Sequence, residues 1–401
     1  MSVPPLEGLR VLELGHIMAG PTCGLLLADL GADVIKIERV PGGDDIRRTP
    51  PRIGSESAAF LVINRGKRGI ALDLTRPEGR EIMLRLVDRA DVLIENYRRG
   101  TLERLGLGYE EVLRPRNPGL VYCAISGFGR SGPLADRGGF DLVAQGMSGL
   151  MSITGEGPER PPVKLGAPVT DITAGILAAL GILAALEARR KTGRGQLVDT
   201  SLLEGGIFHT FWQSAIALAT GHDPEPMGSA HPLMAPYQAF RTRDGWINVG
   251  AANQSNWLRL LEALEAGELA EDPRFRDNAA RIAHREELEA ELAPRFLRRT
   301  TAEWLTILDA MGVPAGPVLT ITEMLAHPQV RARDMLREVP HRTLGRVRVL
   351  GCPIKFSANP AGSARGAPML GEHSREILAE CGYRAEEIAR FLHEGVVIAP
   401  E

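Results

Sequence analysis

The sequence predicts an α/β protein: a large domain on a Rossmann-like, doubly wound parallel sheet, joined to a smaller α/β domain. Three observations carry this. Short apolar runs alternate with helical stretches between Arg10 and Ser126, the spacing of β-α-β units. A long apolar segment, Ile172 to Lys191, reads as one buried helix. From about Pro224 the chain turns Pro-rich and then charged, the mark of a boundary.

The elements follow in order. RVLEL, Arg10 to Leu14, is a strand candidate. Gly15 to Gly20 makes a turn, and Thr22 to Leu30 a helix that Gly31 ends. Asp33 to Ile37 is the second strand, closing on Glu38 and Arg39. This opening is similar to a dinucleotide-binding unit, with Glu38 in the place of a ribose-binding acid. GHIMAG, however, carries no G-x-G-x-x-G, so NAD is not the expected ligand. Further strands are read at Gly69 to Leu74, Asp91 to Glu95 and Leu120 to Ser126, with an amphipathic helix from Pro77 to Arg89. Trp246 to Gly250 is a strand of the smaller domain, followed by helices at Arg285 to Arg295 and Thr301 to Ala310. Helices at His373 to Cys381 and Ala385 to His393 close the chain.

Composition excludes some functions. The 401 residues carry a net charge of −3, which argues against nucleic acid as partner. Cys23, Cys123, Cys352 and Cys381 form no C-x-x-C pair, so no metal site or disulfide framework is expected. Buried free thiols, an N-terminus without a signal-peptide core and no apolar run of membrane-spanning length give a cytoplasmic expectation with no membrane partner.

Asp171 stands just before the apolar helix. Two readings are open there. Asp is a preferred N-cap. A carboxylate kept ionised by the helix dipole can also act as a nucleophile on a carbonyl. Beyond the strand ends lie Met18 and Ala19, Arg39, Thr75, then Asn96, Tyr97, Arg98 and Arg104. Such a rim of cations and free N–H groups suits a phosphorylated ligand, or is simply a solvated edge.

The segments LEGLRVLELGHIMAGPTCGLLLADLGADVIKIER, NRGKRGIALDL, ADVLIENYRRG, GPLADRGGFD and KTGRGQLVD resemble the family III CoA-transferases, the group of formyl-CoA transferase. The resemblance runs from about Leu6 to Gly395 in one order. It implies that Asp171 is the catalytic nucleophile, passing through anhydride and aspartyl-CoA thioester intermediates. It implies that Met18, Ala19, Arg39, Leu72, Asp73, Leu74, Thr75, Asn96, Tyr97, Arg98 and Arg104 line a coenzyme A site. Coenzyme A and acyl-CoA then enter as substrates, with no permanent cofactor and no metal. It also implies a homodimer of interlocked chains, and a discontinuous large domain: residues 1–225, a small domain at 226–328, and a return segment at 329–401.

Two departures matter. Met18 stands where formyl-CoA transferase has Gln and cannot donate a hydrogen bond. Phe140, in RGGFD, stands where the similar α-methylacyl-CoA racemases carry a catalytic His. Racemisation needs an acid and a base on the two faces of a carbon, so transfer is expected over racemisation, with a non-catalytic acyl-CoA-binding protein as the remaining alternative. The stretches GDDIRRTPP, SAHPLMAPYQAF and VGAANQ are most similar to members handling dicarboxylates such as succinate, glutarate or malate. Arg47, Arg48 or Gln254 are the expected holders of a distal carboxylate. The loop Gly250 to Gln254 has one Gly and is expected to be stiffer than a glycine-rich lid.

Overall fold

A computed structural model describes residues 3–400. The chain forms two compact units. The first holds residues up to Ser148, then Gly166–His209 and Pro328 onward; the second holds Gly149–Leu165 and Thr210–His327. This differs from the sequence boundaries of 1–225, 226–328 and 329–401. The loop before the long helix and the helix Phe211–Thr220 pack with the second unit, although nothing in their composition separates them from the first.

The first unit is built on a seven-stranded sheet. Its strands are β1 (Arg10–Glu13), β2 (Asp33–Arg39), β3 (Arg68–Leu72), β4 (Val92–Glu95), β5 (Val121–Ser126), β6 (Leu197–Ser201) and β7 (Val397–Ile398). Their order is β7-β3-β2-β1-β4-β5-β6. All pairs are parallel except the edge pair of β7 with β3. Leaving β7 aside, this is the 3-2-1-4-5-6 order of a doubly wound fold, which reverses direction between β1 and β4.

Helices cover both faces, and the pleat decides which residues they meet. On one face Leu12, Ile35, Leu93 and Tyr122 pack against α2 (Pro77–Val87), α4 (Ser374–Glu380) and α5 (Ala385–His393). On the other, Val11, Val34, Ile94 and Cys123 pack against α1 (Ala19–Asp29) and α3 (Val169–Thr192). The four cysteines are buried and form no disulfide.

The sequence reading of α3 is corrected in length. It has 24 residues, and by length and composition alone it could cross a membrane. Here half of its most apolar stretch is buried within the fold. Its closest approach to α1 needs Gly175, where a Cβ would stand 2.7 Å from the Ala19 carbonyl oxygen.

The second unit has an antiparallel sheet of Tyr237–Arg241, Trp246–Gly250 and Ala315–Pro317. Helices Gln254–Ala263, Arg285–Phe296 and Thr301–Ala310 bury Trp257, Phe296 and Trp304 against it. The loop after Trp246–Gly250 is pinned, with Gly250 N bonded to Pro314 O and Ala251 N to Pro236 O.

Candidate active site

Doubly wound sheets bind ligands outside the carboxyl ends of their strands at the switch in strand order. Here that point lies between β1 and β4. The loop Gly15 to Met18 leaves β1, and Asn96 to Arg98 leave β4. Asn96 joins the two loops: its Oδ1 accepts from His16 N and its Nδ2 donates to His16 O, both at 2.9 Å.

The β1 loop is held tightly. Ile17 has φ of +62°, a left-handed conformation that is costly for a β-branched residue. Its N–H donates to Asp44 Oδ1 at 3.0 Å. Behind it, Lys36 is fully buried and bonds Gly15 O at 2.8 Å, Asp44 Oδ2 at 2.9 Å and Glu13 Oε1 at 3.0 Å. Burial works against the Lys36 charge, but Glu13 and Asp44 outweigh it and raise its pKa.

A cavity of about 340 Å³ opens here, lined by residues that include His16, Met18, Ala19, Asn96, Tyr97, Arg98, Arg137, Phe140 and Asp171. A second cavity of about 200 Å³ shares His16 and Tyr97 and reaches Arg39. Of the residues the sequence singled out, Met18, Ala19, Asn96, Tyr97, Arg98 and Asp171 thus surround one space, and Arg39 borders the next. Leu72, Asp73, Leu74, Thr75 and Arg104 line neither. Leu72 is core, and Asp73 accepts from Thr75 N at 3.0 Å and Thr75 Oγ1 at 2.6 Å. Arg104 donates to Thr101 Oγ1 at 3.1 Å, and Thr101 does line the first cavity.

The structure corrects two statements about Asp171. It is the third residue of α3, not its N-cap, because the helix begins at Val169 after Pro168. It is also not held ionised: burial first, and the neighbouring Asp141 second, push its pKa up to about 7. The helix dipole favours a carboxylate at this end, but desolvation wins. No donor among the described residues bonds the Asp171 side chain; a group poised near neutrality in a cleft is a candidate functional residue.

The cavity cations are Arg98 and Arg137, with Arg99 paired to Asp136 at 3.6 Å. Arg98 lies against Gly138, where a Cβ would sit 3.0 Å from its Nε, and makes no ion pair among the described residues. Arg39 pairs with Asp45. His16 has its pKa lowered, chiefly by burial, so it is neutral at pH 7. Phe140 is 75% exposed at the cavity wall.

The expected holders of a distal carboxylate are also corrected. Arg47 Nε and Nη2 grip Glu38 at 2.6 and 2.7 Å, and the guanidinium lies 3.7 Å from the Phe60 ring centre. Glu38 is thereby closed to a ribose as well. Arg48 pairs with Asp45. Gln254 spends its amide on Arg281 and Arg276 O, both at 3.0 Å. Sequence reasoning missed the glycines at the cavity wall. A Cβ on Gly127 would stand 2.7 Å from Gly139 Cα, and the G-F-G and G-G pairs were the available signal.

Residues 6–374 match the model of CoA-transferase family III. The chain belongs to CoA-transferase family III. As a CoA-transferase it is 42% identical over 384 residues to the succinate–glutarate CoA-transferase of Agrobacterium fabrum, covering 94% of this chain and 96% of that one. It is 39% identical over 398 residues to the succinyl-CoA–D-citramalate CoA-transferase of Chloroflexus aurantiacus, covering 98% of both. The crystal structure of a CaiB/BaiF family protein from Brucella suis superposes with a TM-score of 0.84 at 41% identity, covering 95% of this chain and all of that one.

Proposed function

We propose that this CoA-transferase moves coenzyme A from succinyl-CoA to a second dicarboxylic acid, with Asp171 as the nucleophile. The observation that carries this is a carboxylate at the wall of the switch-point cavity that takes no hydrogen-bond donor among the described residues. The ionised Asp171 attacks the thioester carbonyl, forming an acyl–aspartyl anhydride and releasing the CoA thiolate. The thiolate attacks the aspartyl carbonyl, giving an Asp171–CoA thioester and the donor acid. The acceptor carboxylate attacks that thioester, and the same two steps in reverse deliver its CoA ester. One difficult exchange becomes several easier covalent ones.

The N–H groups of Ala19 and Gly20 in the first turn of α1, which also reaches this cavity, suit the oxyanions that develop. Arg98 and Arg137 suit the phosphates of CoA or a distal carboxylate. Both relatives named above use a succinate-derived donor or acceptor with a second dicarboxylate, which supports that substrate class. Phe140 gives no proton carrier for racemisation at its position. The reading includes a cytoplasmic, interlocked homodimer; apolar side chains left exposed on the first unit at Leu142, Ile176 and Leu180 support the association of two copies.

Asp171→Asn keeps size and polarity but not the nucleophile. Turnover of succinyl-CoA with glutarate should fall at least about 1000-fold. Near-normal turnover in a variant shown by mass to retain Asn would sink the mechanism. Faster turnover with monocarboxylates in a panel of acceptors would sink the dicarboxylate assignment.

A further inference from the structure

The helix that carries Asp171 has no cap of its own. Pro168 occupies the cap position and has no side chain that can accept a hydrogen bond. The N–H groups of the first turn still need partners. Thr170 N donates to Asp141 Oδ1 at 3.0 Å, and Thr170 Oγ1 donates to the same oxygen at 2.8 Å. The other oxygen, Asp141 Oδ2, accepts from Gln145 Nε2 at 2.7 Å. Thr170 and Gln145 are both fully buried. Among the described residues Asp141 therefore takes three donors, while Asp171, next to Thr170, takes none.

We propose that Asp141 is the positioning residue for the reactive carboxylate. It caps α3 from the helix Asp141–Met147, with Thr170 as the link, and sets Asp171 at the cavity wall without bonding it. This rests on Asp171 being the nucleophile. Donors on the charged form would make the carboxylate less basic, so a cap placed on Thr170 fixes the helix start without blunting the attacking oxygen. A self-capping Asp171 would fix the helix at the expense of reactivity.

The charged and titratable groups around Asp171 come from several elements. Asp141 opposes its ionisation from one side. His209 meets Thr173 Oγ1 at 2.6 Å on α3 itself. Neutral His16, Arg98 and Arg137 line the same cavity. Asp141 thus has two separable effects, one through hydrogen bonds and one through charge.

Three variants separate them. Asp141→Asn keeps an oxygen for Thr170 and removes the charge; Asp141→Ala removes both; Thr170→Val removes one bond. The readouts are the rate of adduct formation on the Asp171 peptide, quenched and weighed after mixing with succinyl-CoA, and the pH profile of kcat/KM. Asp141→Asn should move the acid limb down by about half to one pH unit. Asp141→Ala should slow adduct formation about 10- to 100-fold, and Thr170→Val by less, with KM little changed in both. If Asp141→Ala does not fold, the other two variants carry the test. A wild-type adduct rate in Asp141→Ala, or in Thr170→Val where that variant stands in, overturns the proposal, as does an unmoved limb in Asp141→Asn. No adduct on Asp171 in the wild type would instead overturn the nucleophile reading, and this proposal with it.

Discussion

Asp171 is a carboxyl group that the folded chain keeps partly protonated. Its pKa rises from 3.8 to about 7, through burial and the nearby Asp141. Between those two values the unfolded chain is ionised and the folded chain holds a proton, so stability falls as pH rises. Above about pH 7 both states are ionised and the full cost is present. Asp171 is partly exposed, and solvent screening leaves that cost at about 2 kcal/mol. Asp171→Asn removes it. Thermal melts should therefore show the variant more stable than the wild type at pH 8 and nearly equal to it at pH 4. An equal gap at both values would mean that the carboxyl titrates normally. The position of this acid was legible, because an Asp ahead of a long apolar run is a helix-start signal. Its protonation was not legible, because the Asp141 that perturbs it and caps its helix lies 29 residues before Thr170.

Elements were legible where apolar periodicity decides them and less so where close packing does. Trp246–Gly250, Thr301–Ala310 and Ala385–His393 fall where the pattern places them. The start of α1 does not: it begins at Ala19, three residues before the expected Thr22, because Pro21 sits in a first turn whose N–H groups need no helical partner. The start of α3 differs for the same kind of reason, with its cap supplied from elsewhere. The packing of α1 on α3 brings Ala19 and Asp171 to one cavity, and it depends on Gly175. A Cβ there would lie 2.7 Å from Ala19 O and 2.8 Å from Thr22 Cβ. Gly175→Ala gains about 1 kcal/mol of helix propensity, but overpacking costs about 1–3 kcal/mol. The expected result is an unchanged or lower melting temperature together with a kcat about 10-fold lower, since the helices must part beside the proposed nucleophile. A higher melting temperature with full activity would show that the two helices yield without consequence.

At the scale of the molecule, strand order does most to locate the site. The β-α-β pattern made a parallel sheet legible, but not its 3-2-1-4-5-6 order, which is set by long-range pairings such as β1 with β4. That order gathers cations from separate segments at one cavity on a chain whose net charge is −3. It also leaves Arg98 without an ion pair among the described residues, so its positive charge is open to a ligand. Coenzyme A that binds only the folded chain should raise its stability, by about 2.7 kcal/mol when present at about 100 times its Kd. Arg98→Ala breaks no internal pair, so the melting temperature without ligand should stay near the wild-type value. The increment given by coenzyme A should shrink, since a roughly 10-fold weaker Kd removes about 1.4 kcal/mol of it at the same concentration. If the guanidinium holds the phosphates by charge, salt should reduce the wild-type increment more than that of the variant, since salt screens that attraction. An undiminished increment in Arg98→Ala would mean that the phosphates are held by other cations of the cleft, with Arg137 the next to replace.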